Sequence, residues 1–440
     1  MGVYQDVYRP ARGRLPKLVL KTGSKTGSRA AALGACLLCA SAPALAQEAQ
    51  ESDVEFEVYG FAQVDLIADV DGRMNPDWKD AFRPSRIATP EGQFGSDGET
   101  SFSVKQSRLG AKASGEAGGQ TWEGKFEFDM FGVGSDAGKT AVRLRHAYGR
   151  WGPILGGQTN SLFMDGDIFP NVIDYWGPNG MVFLRTPQLR ATFIDSNGLN
   201  LAAAVEYAGN DIDSGGIRII DESLAGSIKG RNKLPDFTAA VRYGGDWGHV
   251  RLGGILRDVA YETPGQPDNR PKGDELGWGL NGTGSFKLAD MATFRGGIVY
   301  GEGIASYMND GGMDLAPSAT PIAVSPVFPP PLTPEFLVLE AKAVPLLGLS
   351  AYFDLNWTKE LTSSVGYSQV EVDNTNFQTG DTFKRARYAS ANLLWSPIPR
   401  VLTGAEVLWG DRKNLNGEKG EAVRLQFSFK VSFSSKDLKL

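Results

Sequence analysis

The sequence predicts an all-β membrane protein: a transmembrane up-and-down antiparallel β-barrel of about 16 strands. Three observations predict it. Apolar and polar residues alternate with period two in segment after segment between residues 54 and 433. The connections alternate between tight turns and long polar loops. No segment reaches the ~18–20 consecutive apolar residues that a membrane-crossing helix needs.

The C-terminal segment states the pattern in its clearest form. Val423, Leu425, Phe427, Phe429, Val431 and Phe433 share one parity, while Arg424, Gln426, Ser428, Lys430 and Ser432 share the other. One apolar and one polar face suit lipid outside and water inside, although a single half-buried strand of a soluble sandwich would look the same. The whole chain separates the two. Alternating segments lie near 54–69, 101–114, 121–130, 141–151, 154–161, 182–193, 199–209 and 235–243. Eight more lie near 249–261, 275–287, 292–303, 349–357, 361–372, 383–395, 401–409 and 421–433. Tight turns include Gly152-Pro153, Asp195–Gly198 and Ser396–Arg400; the long connections include 70–100, 162–181, 210–234 and 304–348. A Greek-key sandwich would not alternate so regularly. Unpaired edges are costly in lipid, so the spanning solution for strands is closure, and sixteen strands leave an aqueous lumen. The proline-rich stretch Pro317–Pro334 reads as extended external loop. Aromatics near segment ends (Trp122, Tyr148, Trp151, Tyr207, Tyr243, Trp357, Trp395 and Trp409) fit an interfacial girdle.

Residues 1–46 differ from the rest. Seven basic residues and one acid (Asp6) precede an apolar run from Ala30 to Ala40 and the small residues Ala44-Leu45-Ala46, the layout of a secretory signal peptide cleaved after Ala46. A lipoprotein site at Cys36 is disfavoured, because few apolar residues come before it. The expected organisation is a signal at 1–46, a short polar segment at 47–53, a barrel at 54–433 and a tail at 434–440. Cys36 and Cys39 both fall in the signal, so the exported chain has no thiol for a disulfide or a metal. Removing the signal's charges takes the formal net charge from −6 to −12, which argues against a nucleic-acid partner.

Enzyme constellations are sparse. His146 and His249 lack neighbours at metal-ligand spacing, and neither a G-x-S-x-G elbow nor a phosphate-binding P-loop occurs. No catalytic residue, cofactor or metal is expected. Charge placement says more. Val142 and Leu144 must face lipid, which turns Arg143 and Arg145 inward. The same parity sets Arg190, Gln188 and Thr192 against Leu189, Ala191 and Phe193, and Arg108 and Lys112 against Leu109, Ala111 and Ala113. Arg242, Arg251, Arg257 and Arg295 are weaker candidates. An arginine-lined lumen favours anions. Residues 162–181 are too long for a simple cap and mix apolar residues with Asp165, Asp167 and Asp174. Such a loop either folds inward, setting carboxylates opposite the arginines, or stays external with its acids solvated. With no oxygen cluster around them, Asp165 and Asp167 make a weak cation site.

Several runs resemble the DcaP-like outer-membrane porins. They are Ser107-Arg108-Leu109-Gly110, Arg143-Leu144-Arg145-His146-Ala147-Tyr148-Gly149, Gly157-Gln158-Thr159 and Gly177-Pro178-Asn179-Gly180. Arg185-Thr186-Pro187-Gln188-Leu189-Arg190 and Asn392–Pro399 belong with them, so the resemblance spreads from about Tyr59 to Phe433. It implies a homotrimer of sixteen-stranded pores in the outer membrane, in contact with lipid and lipopolysaccharide and passing small anions such as dicarboxylates or aromatic acids. It also implies that Arg108, Arg143, Arg145, Arg185 and Arg190 line the pore and that 162–181 is the constricting loop. Two features depart from the family: only about seven polar residues separate signal and barrel, and the chain continues past Phe433 instead of ending on it. The competing readings are a non-conducting structural or adhesive barrel and, further off, a barrel enzyme.

Overall fold

The computed structural model describes residues 54–207, 209–321 and 337–437. The expected signal peptide, the whole polar segment 47–53 after it and the last residues of the tail lie outside them. None of the helices described is long and apolar enough to cross a membrane.

Sixteen antiparallel strands close into one barrel. They are β1 (Glu55–Asp71), β2 (Glu99–Ser103 and Arg108–Ala117), β3 (Gln120–Phe131), β4 (Thr140–Trp151), β5 (Ile154–Asn160), β6 (Arg185–Ser196), β7 (Leu199–Glu206) and β8 (Asp236–Gly245). There follow β9 (Gly248–Glu262), β10 (Gly273–Ala289), β11 (Ala292–Glu302), β12 (Pro345–Asn356), β13 (Leu361–Val372), β14 (Phe383–Trp395), β15 (Val401–Asn414) and β16 (Lys419–Ser434). Each pairs with the next. β1 pairs with β16 from Tyr59↔Ser434 to Asp71↔Val423, so no sheet edge is left at the seam.

Alternation places the side chains as lipid and water demand. On β16 Phe427 is 49% exposed on the outer surface, while Arg424 and Gln426 are fully buried inside. One end of the barrel has tight turns. Gly118 and Gly119 both take positive φ, as do Asn197 and Gly198, the requirement of the two-residue hairpins that match strand twist. The other end carries the loops 72–98, 132–139, 161–184, 207–235, 263–272, 303–344, 373–382 and 415–418.

Three details differ from expectation. The loop before β12 contains a hairpin, Leu315–Pro321 against Leu337–Ala343, where the proline content suggests an extended chain. Proline is tolerated there because the hairpin stands apart from the barrel sheet as a two-stranded edge. β12 starts at Pro345, earlier than the alternation beginning near 349. Tyr148 is no girdle residue: its hydroxyl bonds Glu123 inside the barrel.

The largest apolar cluster lies within the barrel. Phe163, Met164 and Val182 of the third loop and Tyr307 and Met308 of the sixth pack on Ile255, Val299, Leu346 and Val370, which point inward from the wall. An apolar patch on a polar lumen is stable where a loop covers it.

Candidate functional site

The third loop, residues 161–184, turns into the lumen because the wall supplies partners for its backbone. At its start, Glu206 accepts hydrogen bonds from Leu162 N and Ser161 Oγ, both at 2.6 Å. Asn281 Nδ2 donates to Phe163 O at 2.8 Å. Further on, Glu406 Oε2 accepts from Ile173 N at 2.7 Å and Asp174 N at 3.0 Å. Asn392 Nδ2 donates to Asn171 O at 2.8 Å, and Ser368 Oγ accepts from Gly180 N at 2.7 Å. β2 is broken between Ser103 and Arg108, and there Gln106 Nε2 reaches Ile173 O at 2.9 Å.

The three loop acids do not form a row facing arginines. Asp165 is buried, taking hydrogen bonds from His249 Nε2 at 2.8 Å and Thr283 Oγ1 at 2.6 Å. Burial alone would raise its carboxyl, but those two bonds and the nearby charges of His249 and Arg251 bring it down to about 2. Asp167 is exposed and pairs with Arg242 at 2.8 Å. Asp174 is buried, accepting from Phe82 N and Gly177 N, each at 2.9 Å. Burial pushes its carboxyl up to about 6 against those donors. Asp165, Asp167 and His249 lie close enough to one another to hold an ion, but their hydrogen bonds and the adjacent Arg242 and Arg251 already engage them.

The carboxylates that face Arg143 and Arg145 come from the wall itself. Glu127 and Asp129 project inward from β3. Arg145 Nε meets Glu127 at 2.8 Å and its Nη1 meets Asp129 at 2.9 Å; Arg143 Nη2 meets Asp129 at 2.6 Å. Arg108 lies 3.6 Å from Glu127, and Lys112, nearer the tight-turn end, pairs with Glu57 at 3.0 Å. Arg190 bonds neutral oxygens, Asn160 O at 2.6 Å and Gln188 Oε1 at 2.7 Å. Arg185 stacks on the Phe183 ring at 4.9 Å. The weaker candidates anchor loops: Arg251 to Leu162 O, Arg257 to Asp314 as well as Asp236, and Arg295 to Asp167 O as well as Asp354.

Glu127 and Asp129 were missed by sequence reasoning. The signal was available, because Phe126 and Phe128 must face out and so turn both acids in. His146 carried no such signal. A bulge between the pairs Glu127↔His146 and Phe128↔Leu144 leaves Arg145 as the extra residue, which aims both Arg145 and His146 inward.

Tyr175 joins the third loop to this wall. Its ring lies flat on Phe131 (3.7 Å, 7°), its hydroxyl donates to Asp129 Oδ2 at 3.0 Å, and the Arg143 guanidinium sits 5.2 Å above it. The lumen is thereby divided into two basins. The outer, about 700 Å³, opens toward the loops; the inner, about 420 Å³, lies beyond the third loop. Tyr175, Phe183 and Arg185 line both and form the partition.

A closed barrel with an apolar outside, aromatic rings toward its ends, unequal connections and a loop folded into a charged lumen defines an outer-membrane barrel of the porin class. Within that class the chain is similar to the DcaP outer membrane proteins, whose family model matches residues 48–251, through the first eight strands and into β9. Among solved structures, it is similar to the outer membrane channel DcaP of Acinetobacter baumannii, at 22% identity over 86% of this chain and 97% of that one, with a TM-score of 0.68. It is also similar to an anion-selective porin from Comamonas acidovorans, at 9% identity over 87% and 100% of the two chains, with a TM-score of 0.53. These likenesses are of fold. No curated protein matches the sequence.

Proposed function

We propose that the protein is a passive outer-membrane channel for small hydrophilic solutes, with a preference for anions. The observation that carries the reading is the partition between the basins, where Arg185 and Arg143 meet Tyr175 and Phe183 on a wall that also holds Arg108 and Arg145. Positive wall charge at the partition raises the local concentration of anions and repels cations. Aromatic rings beside guanidiniums suit flat organic acids as well as dicarboxylates, so both remain substrates of this reading. The pore-lining set is Arg108, Lys112, Arg143, Arg145, Arg185 and Arg190, with Asp165, Asp167 and Asp174 acting as fasteners of the third loop. The working assembly is a homotrimer surrounded by lipid and lipopolysaccharide, exported with the help of the signal at residues 1–46. No catalytic step is assigned to any residue.

Recording in planar lipid bilayers under a potassium chloride gradient tests the reading. The expected result is stable open-channel current with a reversal potential of anionic sign. Absence of current would favour a non-conducting barrel, and a cationic reversal potential would overturn the preference. A heat-modifiable, SDS-resistant band at the trimer mass is expected; a monomer under all mild conditions would overturn the trimer.

A further inference from the structure

The cations lining the two basins fall into two groups, and the difference assigns them different work. In the first group each cation has a carboxylate beside it, Arg108, Lys125, Arg143 and Arg145 sharing Glu127 and Asp129. Arg83 pairs with Asp310 at 2.9 Å, Arg143 with Asp129, Arg145 with both Glu127 and Asp129, and Arg108 and Lys125 lie within 3.6 Å and 3.4 Å of Glu127. In the second group are Arg86, Arg185 and Lys430. Among the described residues, none of these has a carboxylate oxygen within 4.0 Å. They also occupy successive levels: Arg86 lines the outer basin, Arg185 lines both, and Lys430 lines the inner.

Their surroundings leave them available. Arg86 is exposed on a short 3-10 turn of the first loop. Arg185 rests on the face of Phe183, and its Nε is buried without a hydrogen-bond partner. Lys430 stands 5.4 Å over the ring of Phe61. An aromatic face holds a cation in place without neutralising it, whereas a carboxylate at 2.6–2.9 Å does both. A cation that keeps its full charge and unused donors gains most from a passing anion, because there is no internal partner to give up.

We propose that Arg86, Arg185 and Lys430 form a three-step relay that hands a permeating anion from the outer basin through the partition to the inner basin, and that Arg143 and Arg145 position Tyr175 and the third loop. The proposal rests on the anion-channel reading and deepens it. A step that binds too tightly would trap its solute, so three separated single charges serve conduction better than one cluster.

The test is the chloride-over-potassium permeability ratio of single-site variants in the full-length channel. Arg185→Gln should lower the ratio roughly threefold, the Boltzmann weight of one unit charge ~7 Å from the ion at the dielectric of water. Arg86→Gln and Lys430→Gln should each lower it by less, because their basins are wider, and the triple variant should lower it most. Arg185→Lys keeps the charge and should keep the ratio. A heat-modifiable band from each variant shows that the barrel has assembled, which separates lost selectivity from lost folding. An anion-selective parent channel whose ratio is unchanged in Arg185→Gln, Arg86→Gln and Lys430→Gln overturns the relay alone. A parent channel without anion preference overturns the underlying reading, so the two failures are distinct.

Discussion

Two long loops with opposite fates show what decides where a loop of this barrel goes. The third, residues 161–184, lies inside the lumen; the sixth, residues 303–344, includes a hairpin paired with itself. The third loop draws its backbone partners from side chains on the strands: Glu206 on β7, Asn281 on β10, Ser368 on β13, Asn392 on β14 and Glu406 on β15. The sixth obtains many of its partners from the backbone of its own hairpin, and its base is fixed by Asp314 under Arg257. A buried loop must have its N–H and C=O groups satisfied, and the source of the partners sets its position. Inward-facing acids and amides on a barrel strand are therefore loop receptors as well as lumen lining.

The largest effect expected from breaking this comparison is at the base of the sixth loop. Arg257 is 2% exposed and bridges Asp236 (3.0 Å) and Asp314 (3.0 Å), also donating to Gly209 O at 2.6 Å. Arg257→Ala leaves two buried carboxylates without their cation, a change that costs ~3–5 kcal/mol in comparable buried pairs. The temperature of heat modification should fall clearly, while the conductance of assembled channels stays near that of the parent. A large change in conductance would mean that the sixth loop also shapes the partition.

Next comes Glu406→Ala. Ile173 N and Asp174 N lose their shared acceptor, at ~1–3 kcal/mol for each buried group left unsatisfied. The second half of the third loop should loosen, read as higher single-channel conductance and more current noise. An unchanged trace would show that the remaining bonds suffice. Thr283→Val removes only one hydrogen bond to Asp165 and should cost ~1 kcal/mol, with a correspondingly smaller rise in noise.

The contrast also explains what could be read from the sequence. Period-two alternation found the strands closely; β14, for instance, spans Phe383–Trp395. It also gave the inward side of Arg143 and Arg145, since Val142 (66% exposed) and Leu144 are left outside. Parity says which face a residue occupies but not what it meets there. The sequence singles out acids only on the loop 162–181 and arginines on the wall, yet Asp65, Asp69, Glu127, Asp129, Glu206 and Glu406 are all buried strand residues with inward partners. Glu127 and Asp129 meet Arg145 and Arg143 of the next strand, but other partners come from the third loop or from distant strands, at separations no local pattern encodes, such as 233 residues between Ile173 and Glu406. The bulge at Arg145 likewise breaks the parity rule without a glycine or proline to announce it.

The smallest expected effect is one of pH, and it sharpens the account of the third loop. Burial raises the carboxyl of Asp174 to about 6 even with N–H bonds from Gly177 and Phe82. A raised carboxyl means that the seated loop holds this proton more tightly than a released loop would. The contribution to seating is therefore complete below the ordinary carboxylate range and is lost as pH rises through about 6. Two neighbours pull the other way, Tyr388 by donating at 3.3 Å and Arg424 by its charge, and burial outweighs both because Tyr388 donates at long range and Arg424 is engaged by Asp69 at 2.6 Å. Current noise should be lower at about pH 4.5 than at about pH 7.5, the two sides of that titration. Asp174→Asn should flatten the dependence near the acidic level, apart from the one acceptor it gives up to Gly177 N. A pH response that survives Asp174→Asn would move the titration to another group and leave the loop's receptors, Glu206 and Asn281 at one end and Asn392 and Ser368 at the other, as its pH-independent anchors.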